Sequence, residues 1–148
     1  MKLSTRARYA LRMMVELARR QDAEPVSLSE VAETNSLPKR YLDQLALGLK
    51  ASALITSVRG RGGGYRLTRP AGEITVGEVT RATIGPINVV DCVHRPRTCT
   101  RSEDCEFRWV YERVNRQVTE VLDGITLADL VARGDLVNEG FANTPCSR

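Results

Sequence analysis

A run of glycines in the middle of the chain limits the local structure more than any other feature. Four of the six residues from Arg59 to Gly64 are glycine, and glycine destabilises helix and strand interiors because it loses the most conformational freedom on folding. The flanking segments, residues 54–58 and 65–68, are rich in β-branched residues or alternate in polarity, as strands do. The pattern predicts a β-hairpin with a flexible loop. A phosphate-binding loop is not indicated, because no Lys-Ser or Lys-Thr pair follows and the next element is a strand.

Three helical segments are predicted before the hairpin. Apolar residues recur at three- and four-residue spacing over residues 3–20, which indicates an amphipathic helix. Ser27 and Glu30 have the spacing of a capping box that begins a short helix ending near Asn35. After a brief turn, Pro38 stands where the first turn of a helix tolerates proline, and this helix runs to about Ala51. Two short helices joined by a tight turn and followed by a hairpin predict a winged helix-turn-helix, a mainly α fold with a small β-hairpin wing (residues 54–68).

A second helical region follows the wing. Thr75 and Glu78 repeat the capping-box spacing and begin a short helix toward Thr83. Residues 87–102 are predicted to be irregular, and a long helix is expected over about residues 103–123, then a short terminal helix and a loose tail. The long helix has one apolar stripe, which periodicity alone favours as ordinary core. The stripe consists of Phe107, Val110, Val114, Val118, Val121 and Leu122.

Charge divides the chain into two unlike halves. Residues 1–70 hold 13 Lys and Arg against 6 Asp and Glu, a net charge of +7, whereas residues 71–148 hold 9 against 12, a net charge of −3. A basic half that contains a helix-turn-helix indicates binding to double-stranded DNA. The second helix of the motif would present polar side chains to base edges in the major groove, and the wing arginines would enter a minor groove. The predicted DNA-contacting residues are Lys39, Arg40, Tyr41, Asp43, Gln44, Arg59 and Arg61.

Other functional classes find little support in the sequence. The chain has a single histidine, and neither a nucleophile–base pair nor a cofactor fingerprint is apparent, so we do not expect an enzyme. No apolar stretch is long enough to span a membrane, and the first residues lack the apolar block and cleavage site of a secretion signal. We therefore expect a cytoplasmic protein.

Three of the four cysteines are clustered. Cys92, Cys99 and Cys105 have the spacing Cys-x6-Cys-x5-Cys, whereas Cys146 lies near the end of the chain. In a cytosolic protein, thiols placed in this way are more often metal ligands or redox groups than a structural disulfide. Zinc sites usually show tight Cys-x2-Cys pairs, and an iron-sulfur cluster accepts thiolates from an open loop. The spacing favours an iron-sulfur cluster and leaves zinc, a disulfide or unligated thiols as alternatives.

Five features of the chain occur together in a known family. They are the opening residues 1–14, the segment Tyr41-Leu-Asp-Gln-Leu45, the wing segment Ser57-Val-Arg-Gly-Arg-Gly-Gly-Gly-Tyr65, the helix start Val76-Gly-Glu-Val79 and the three cysteines. Together they resemble the Rrf2 family of winged helix-turn-helix transcriptional regulators. The wing segment is the most specific of them, and the resemblance covers about residues 1–134.

The resemblance implies a homodimer in which the long helix packs against its partner. The implied interface residues are Phe107, Val110, Val114, Val118 and Val121. It further implies that Arg59 recognises the minor groove, that Tyr41, Asp43 and Gln44 lie on the recognition helix, and that Cys92, Cys99 and Cys105 ligate the cluster. A 2Fe-2S cluster is favoured over 4Fe-4S.

The fourth cluster ligand departs from the family pattern. The IscR type takes it from a histidine three residues after the last cysteine, where this chain has Arg108. The NsrR type uses an acidic residue near the N-terminus, at a position that is Arg8 here. A guanidinium cannot ligate a cluster at ordinary pH, so the fourth position is open. Candidates are His94, then Asp91, Glu103, Asp104, Glu106 and Cys146.

These observations predict a homodimeric regulator whose binding to a palindromic promoter site is controlled by an iron-sulfur cluster, so that it senses iron-sulfur or iron status. One alternative is a nitric oxide or redox-sensing repressor of the same family. Another is a cluster-free winged-helix regulator controlled by a protein or small-molecule partner. The predicted regions are the winged helix-turn-helix (1–84), the cysteine loop (85–105), the dimerisation and short terminal helices (106–134) and a flexible tail (135–148).

Overall fold

The fold is mainly helical with one two-stranded antiparallel hairpin, as predicted. The computed structural model describes residues 4–101 and 104–140, with side chains described as far as residue 135. No helix within these ranges is both long enough and apolar enough to cross a membrane. The helices are α1 (Thr5–Arg19), α2 (Leu28–Asn35), α3 (Lys39–Ala51), α4 (Val76–Ile84), α5 (Asp91–His94), α6 (Arg108–Asp123) and α7 (Leu127–Gly140); the strands are β1 (Ile55–Val58) and β2 (Gly64–Leu67). Short 3-10 turns lie at Ala71–Glu73 and Pro96–Thr98.

Both predicted capping boxes are present at the starts of α2 and α4. The Ser27 hydroxyl accepts a hydrogen bond from the Glu30 amide at 3.2 Å, and the Glu30 carboxylate accepts one from the Ser27 amide at 2.8 Å. The same two hydrogen bonds join Thr75 and Glu78: the Glu78 amide donates to the Thr75 hydroxyl at 3.1 Å, and the Thr75 amide donates to the Glu78 carboxylate at 2.9 Å. Burial would raise the pKa of Glu78, but hydrogen bonds from the Thr75 amide and the Arg69 guanidinium outweigh it and lower this pKa. These local bonds explain why the sequence located both helix starts correctly.

One hydrophobic core joins the first four helices to the start of α7. The largest fully buried side chains come from α1 and α3, and α4 contributes Val79. Leu127, at the start of α7, is also fully buried in this core. The chain therefore returns to the winged body (residues 5–84) after α6, and its amide hydrogen bonds include Leu127 N to Ile74 O at 2.9 Å. The core side chains of α1 and α3 are Met13, Met14, Leu17, Leu42, Leu45 and Leu49.

The wing is attached to the body by a backbone contact that the sequence did not reveal. Strand β1 pairs with β2 in the register Ile55 with Leu67 to Val58 with Gly64. Val26 and Tyr65 exchange backbone hydrogen bonds of 3.1 and 2.8 Å, so the segment before α2 adds to the sheet. A Cβ atom at Gly64 would lie 2.5 Å from the Val26 carbonyl oxygen. This position therefore requires glycine because two backbones approach closely there.

The region after α4 differs from its prediction in three places. Residues 87–102 were predicted to be irregular but contain the one-turn helix α5. Helix α6 begins at Arg108, five residues after the predicted start near Glu103, and Glu106 and Phe107 form a turn directly before it. The acidic residues there resemble a helix N-terminus in composition, yet Phe107 precedes α6 with no side-chain cap. Helix α7 continues to Gly140, beyond residue 134, so the predicted tail 135–148 begins as helix. Residues 141–148 of that tail lie outside the described residues.

Candidate DNA interface and cysteine loop

The turn between α2 and α3 fixes the orientation of α3. Ser36 has a left-handed backbone with φ 51° and ends α2, and the Leu37 amide donates to the Ala32 carbonyl at 2.9 Å. Leu37 is buried, and Pro38 precedes the first residue of α3. One side of α3 is then buried through Leu42, Leu45, Ala46 and Leu49. The opposite side faces solvent, as a recognition helix requires.

Four of the five predicted α3 residues lie on this outward face. Lys39, Arg40, Asp43 and Gln44 are exposed, and the Lys39 ammonium lies 3.3 Å from both carboxylate oxygens of Asp43. Tyr41 is half-buried, because its ring packs edge-on against Tyr9 of α1 at a centroid distance of 5.6 Å. Tyr41 therefore lies at the edge of the face and also anchors α3 to α1.

One outward-facing residue of α3 was missed by the sequence analysis. Leu47 is 72% exposed. Its spacing of four residues from Asp43 and seven from Arg40 places it on the same helix face, and this spacing could have identified it. As an apolar residue, Leu47 does not fit the polar pattern that is typical of DNA contacts.

The wing places both predicted arginines at its tip. Arg59 and Arg61 are exposed on either side of Gly60, which has φ 103°, and Gly62 follows with φ 75°. Both positive φ values favour glycine, which explains the loop composition. Near the loop, the Lys50 ammonium donates to the Ser57 hydroxyl of β1 at 3.0 Å, so the end of α3 contacts the wing directly.

The three clustered cysteines lie on the segment between α4 and α6. Cys92 is in α5, Cys99 follows the 3-10 turn, and Cys105 comes shortly before α6; all three are free thiols and half-buried. Within residues 4–101 and 104–140, no group of three or more His, Cys, Asp and Glu side chains is assembled to hold a metal ion. The loop thus supplies three sulfur donors, and these are not gathered into a preformed site.

Arg108 connects two of these cysteines electrostatically. Its Nε donates to Glu112 Oε1 at 2.7 Å. This bond raises the pKa of Arg108 against a smaller opposing effect of burial, and coulombic interaction with Cys92 and Cys105 adds to the rise. Both sulfurs are therefore within electrostatic range of the guanidinium, which is permanently cationic and cannot itself be a ligand.

The candidates for the fourth ligand are spread around the loop. His94 is exposed at the end of α5, in the same helical turn as Cys92. Asp91, Asp104 and Glu106 are also exposed. An open cleft of about 480 Å³ is lined by Thr100, Arg101, Asp104, Cys105, Glu106 and Phe107. Glu103 and Cys146 lie outside the described residues.

Helix α6 presents the predicted apolar stripe to solvent. No residue of α6 is fully buried. Val110, Val114 and Val121 are exposed, as is Phe107 directly before the helix, and Val118 is half-buried. The interpretation of the stripe as ordinary core is therefore wrong for the single chain. Near the end of α6 the Asp123 carboxylate accepts two hydrogen bonds, of 2.6 and 3.2 Å, from Arg81 of α4.

Comparison with known proteins identifies the family. Residues 3–133 match the family described as "Rrf2: Iron-dependent Transcriptional regulator". The chain is 38% identical over 141 residues to the HTH-type transcriptional regulator CymR of Bacillus subtilis strain 168, covering 95% of this chain and 97% of that protein. It is 33% identical over 138 residues to the HTH-type transcriptional regulator IscR of Citrobacter koseri, covering 93% of this chain and 84% of that protein.

Solved structures agree with this assignment. The structure of CymR, the global cysteine regulator of B. subtilis, superposes with a TM-score of 0.76 at 37% identity and covers 90% of this chain and 98% of that chain. The structure of T. potens IscR superposes with a TM-score of 0.72 at 34% identity and covers 97% of this chain and 94% of that chain. The winged helix-turn-helix, the family match over residues 3–133 and the similarity to these relatives show that the chain belongs to the Rrf2 family of DNA-binding transcriptional regulators.

Proposed function

We propose that the protein is a cytoplasmic homodimer that binds a palindromic promoter site, and that its cysteine loop holds an iron-sulfur cluster which controls this binding. The observation that carries the proposal is the position of the three thiols. They occupy the segment that connects the winged body to α6, so an event in the loop acts on both the DNA-binding part and the proposed dimer helix. Iron-sulfur or iron status is the signal that we propose.

The exposed stripe of α6 supports the dimer. Four large apolar side chains exposed along one helix face are unfavourable in water, and a second copy of the same face would cover them. A two-fold symmetric dimer would carry two α3 helices and two wings related by the same symmetry as a palindrome, and we therefore propose a palindromic site. The interface residues in this proposal are Phe107, Val110, Val114, Val118 and Val121.

The donor set fits an iron-sulfur cluster in its chemistry. Thiolates are the ligands that such clusters take, and Cys92, Cys99 and Cys105 are free and partly accessible. When bound, the cluster would supply a centre that responds to iron supply, oxidation or nitric oxide. Because the three sulfurs are not preassembled, the loop must close around its ligand, and this ordering is what could be transmitted to α6. His94 is the fourth donor that we test first, since it shares a helical turn with Cys92.

The first test is chemical analysis of the purified protein. Protein prepared without oxygen, or reconstituted with iron and sulfide, should be brown and contain both elements; absorption and electron paramagnetic resonance spectra should indicate 2Fe-2S and distinguish it from 4Fe-4S. Cys92→Ser should abolish the colour, and Cys146→Ser should keep it if His94, and not Cys146, is the fourth ligand. His94→Ala should shift the spectrum if His94 is the fourth ligand. Protein with neither iron nor sulfide after reconstitution would refute the cluster.

The second test concerns control of DNA binding. Footprints of the cluster-loaded and cluster-free protein on the same palindromic promoter should differ in extent or affinity. Equal protection at every sequence tried would leave a DNA-binding dimer without a cluster sensor.

A cluster-free regulator is the second candidate function. It is favoured by the lack of a gathered ligand group within the described ranges and by Arg108, which stands where the IscR type has its histidine ligand. In this case a protein or small-molecule partner would control DNA binding. The protein would then be colourless, and its operator affinity would not depend on iron.

A further inference from the structure

The outward face of α3 has a large apolar side chain at its centre. Leu47 is 72% exposed, more than any other large hydrophobic side chain among the described residues. At about 100° per residue, Leu47 projects roughly 20° from Arg40 and 40° from Asp43 around the helix axis. It lies about 10 Å beyond Arg40 along that axis, at 1.5 Å per residue. Leu47 therefore lies on the same side of α3 as the polar residues predicted to contact DNA, about one turn beyond Asp43 and Gln44.

The packing of α3 holds Leu47 in this position. Leu45 and Leu49 are buried in the core on the opposite side. A Cβ atom at Gly48 would lie 3.0 Å from the Ala82 carbonyl oxygen, so α3 is closely packed against α4 at this level. The helix cannot rotate to bury Leu47 without losing these contacts. The leucine is thus presented to whatever lies against α3.

The chemistry of the major groove restricts what can face this leucine. Base edges there display hydrogen-bond donors and acceptors, and the only apolar group among them is the C5-methyl of thymine. A leucine pressed against a polar edge would exclude water and leave that group without a partner, which is unfavourable. We propose that Leu47 packs against a thymine methyl and makes one thymine preferred in each half-site. This inference rests on α3 as the DNA-contacting helix.

Removing a single methyl group from DNA tests the proposal. Duplexes selected from a random library by the full-length protein would be synthesised with each thymine in turn replaced by deoxyuridine, which lacks only the methyl. At one position of each half-site the wild-type protein should lose about three- to fivefold in affinity, the value of one buried methyl. The Leu47→Ala variant should lose nothing there. In duplexes that carry cytosine in place of this thymine, changing the cytosine to 5-methylcytosine should increase the affinity of the wild-type protein by a similar factor.

The controls separate this inference from DNA binding itself. Ile84→Ala removes another exposed apolar side chain, at the end of α4, and should keep the wild-type response to deoxyuridine. Circular dichroism checks that both variants are folded. If duplexes are selected and bound but no thymine distinguishes wild type from Leu47→Ala, the role of Leu47 is refuted and DNA binding stands. If no duplex is selected, the assignment of α3 fails together with the inference.

Discussion

Replacing Gly77 tests how α6 is joined to the winged body. A Cβ atom at this position would lie 1.8 Å from Asp123 Oδ1 and 2.9 Å from its Cγ. The Asp123 carboxylate is held there by Arg81, with Nη2 2.6 Å from Oδ1 and Nη1 3.2 Å from Oδ2. Gly77→Ala must therefore displace the carboxylate and break this ion pair between α4 and α6.

The expected magnitude follows from two opposing effects. The ion pair is bidentate, but each side chain is 40% exposed, so its loss costs at most about 1 kcal/mol. Alanine in place of glycine in a helix gains about 0.5–1 kcal/mol through reduced conformational freedom of the unfolded chain. In the wild-type background the two effects nearly cancel. In an Asp123→Ala background the clash is absent, and Gly77→Ala should stabilise the protein by about 0.5–1 kcal/mol.

Urea unfolding of the four proteins measures this coupling. All four must be compared at one protein concentration, because dimerisation contributes to apparent stability. An equal effect of Gly77→Ala in both backgrounds would refute the proposed contact between the alanine and Asp123. The DNA affinity of each variant would further show whether this junction matters for operator binding.

Three further outcomes are expected. Arg59→Ala should reduce the preference for the operator over random DNA about tenfold or more, whereas Arg61→Ala removes the same charge and should reduce this preference less. Competition assays measure both, and a uniform weakening across all sequences in both variants would make both arginines phosphate contacts. Val114→Glu should weaken self-association by at least about 100-fold in sedimentation experiments, because an unpaired charge would be buried in the interface; an unchanged dimer would contradict the role of α6. Glu78 has a lowered pKa, so its stabilising effect is complete above the ordinary value of 4.5 and is lost as the pH falls below it. In unfolding curves, Glu78→Gln should reduce the loss of stability that the wild-type protein shows below this pH. An unaltered pH profile would argue against a stabilising role of the Glu78 carboxylate.

Much of the winged body was predictable because its signals are local. Capping boxes, the proline before α3 and the glycine loop each act within a few residues, so the helix starts and the hairpin followed from spacing alone. The cysteine loop was not predictable in this way. Its position depends on contacts across the chain, such as the 3.0 Å hydrogen bond from the Val89 amide to Asn115 Oδ1 of α6, and no sequence pattern encodes them.

By itself the sequence determined that a winged helix-turn-helix would form, which face of α3 would be polar, and that three thiols would share one loop. Only the tertiary structure decided which apolar residues remain outside the core. Leu127 and the α6 valines are all apolar residues of predicted helices, yet Leu127 is fully buried while Val121 is 60% exposed. The space for a side chain at Gly64 and Gly77 is likewise taken by Val26 and Asp123, which come from distant parts of the chain. Hydrophobic periodicity specifies a face of a helix, but which surface covers that face depends on how the whole chain packs.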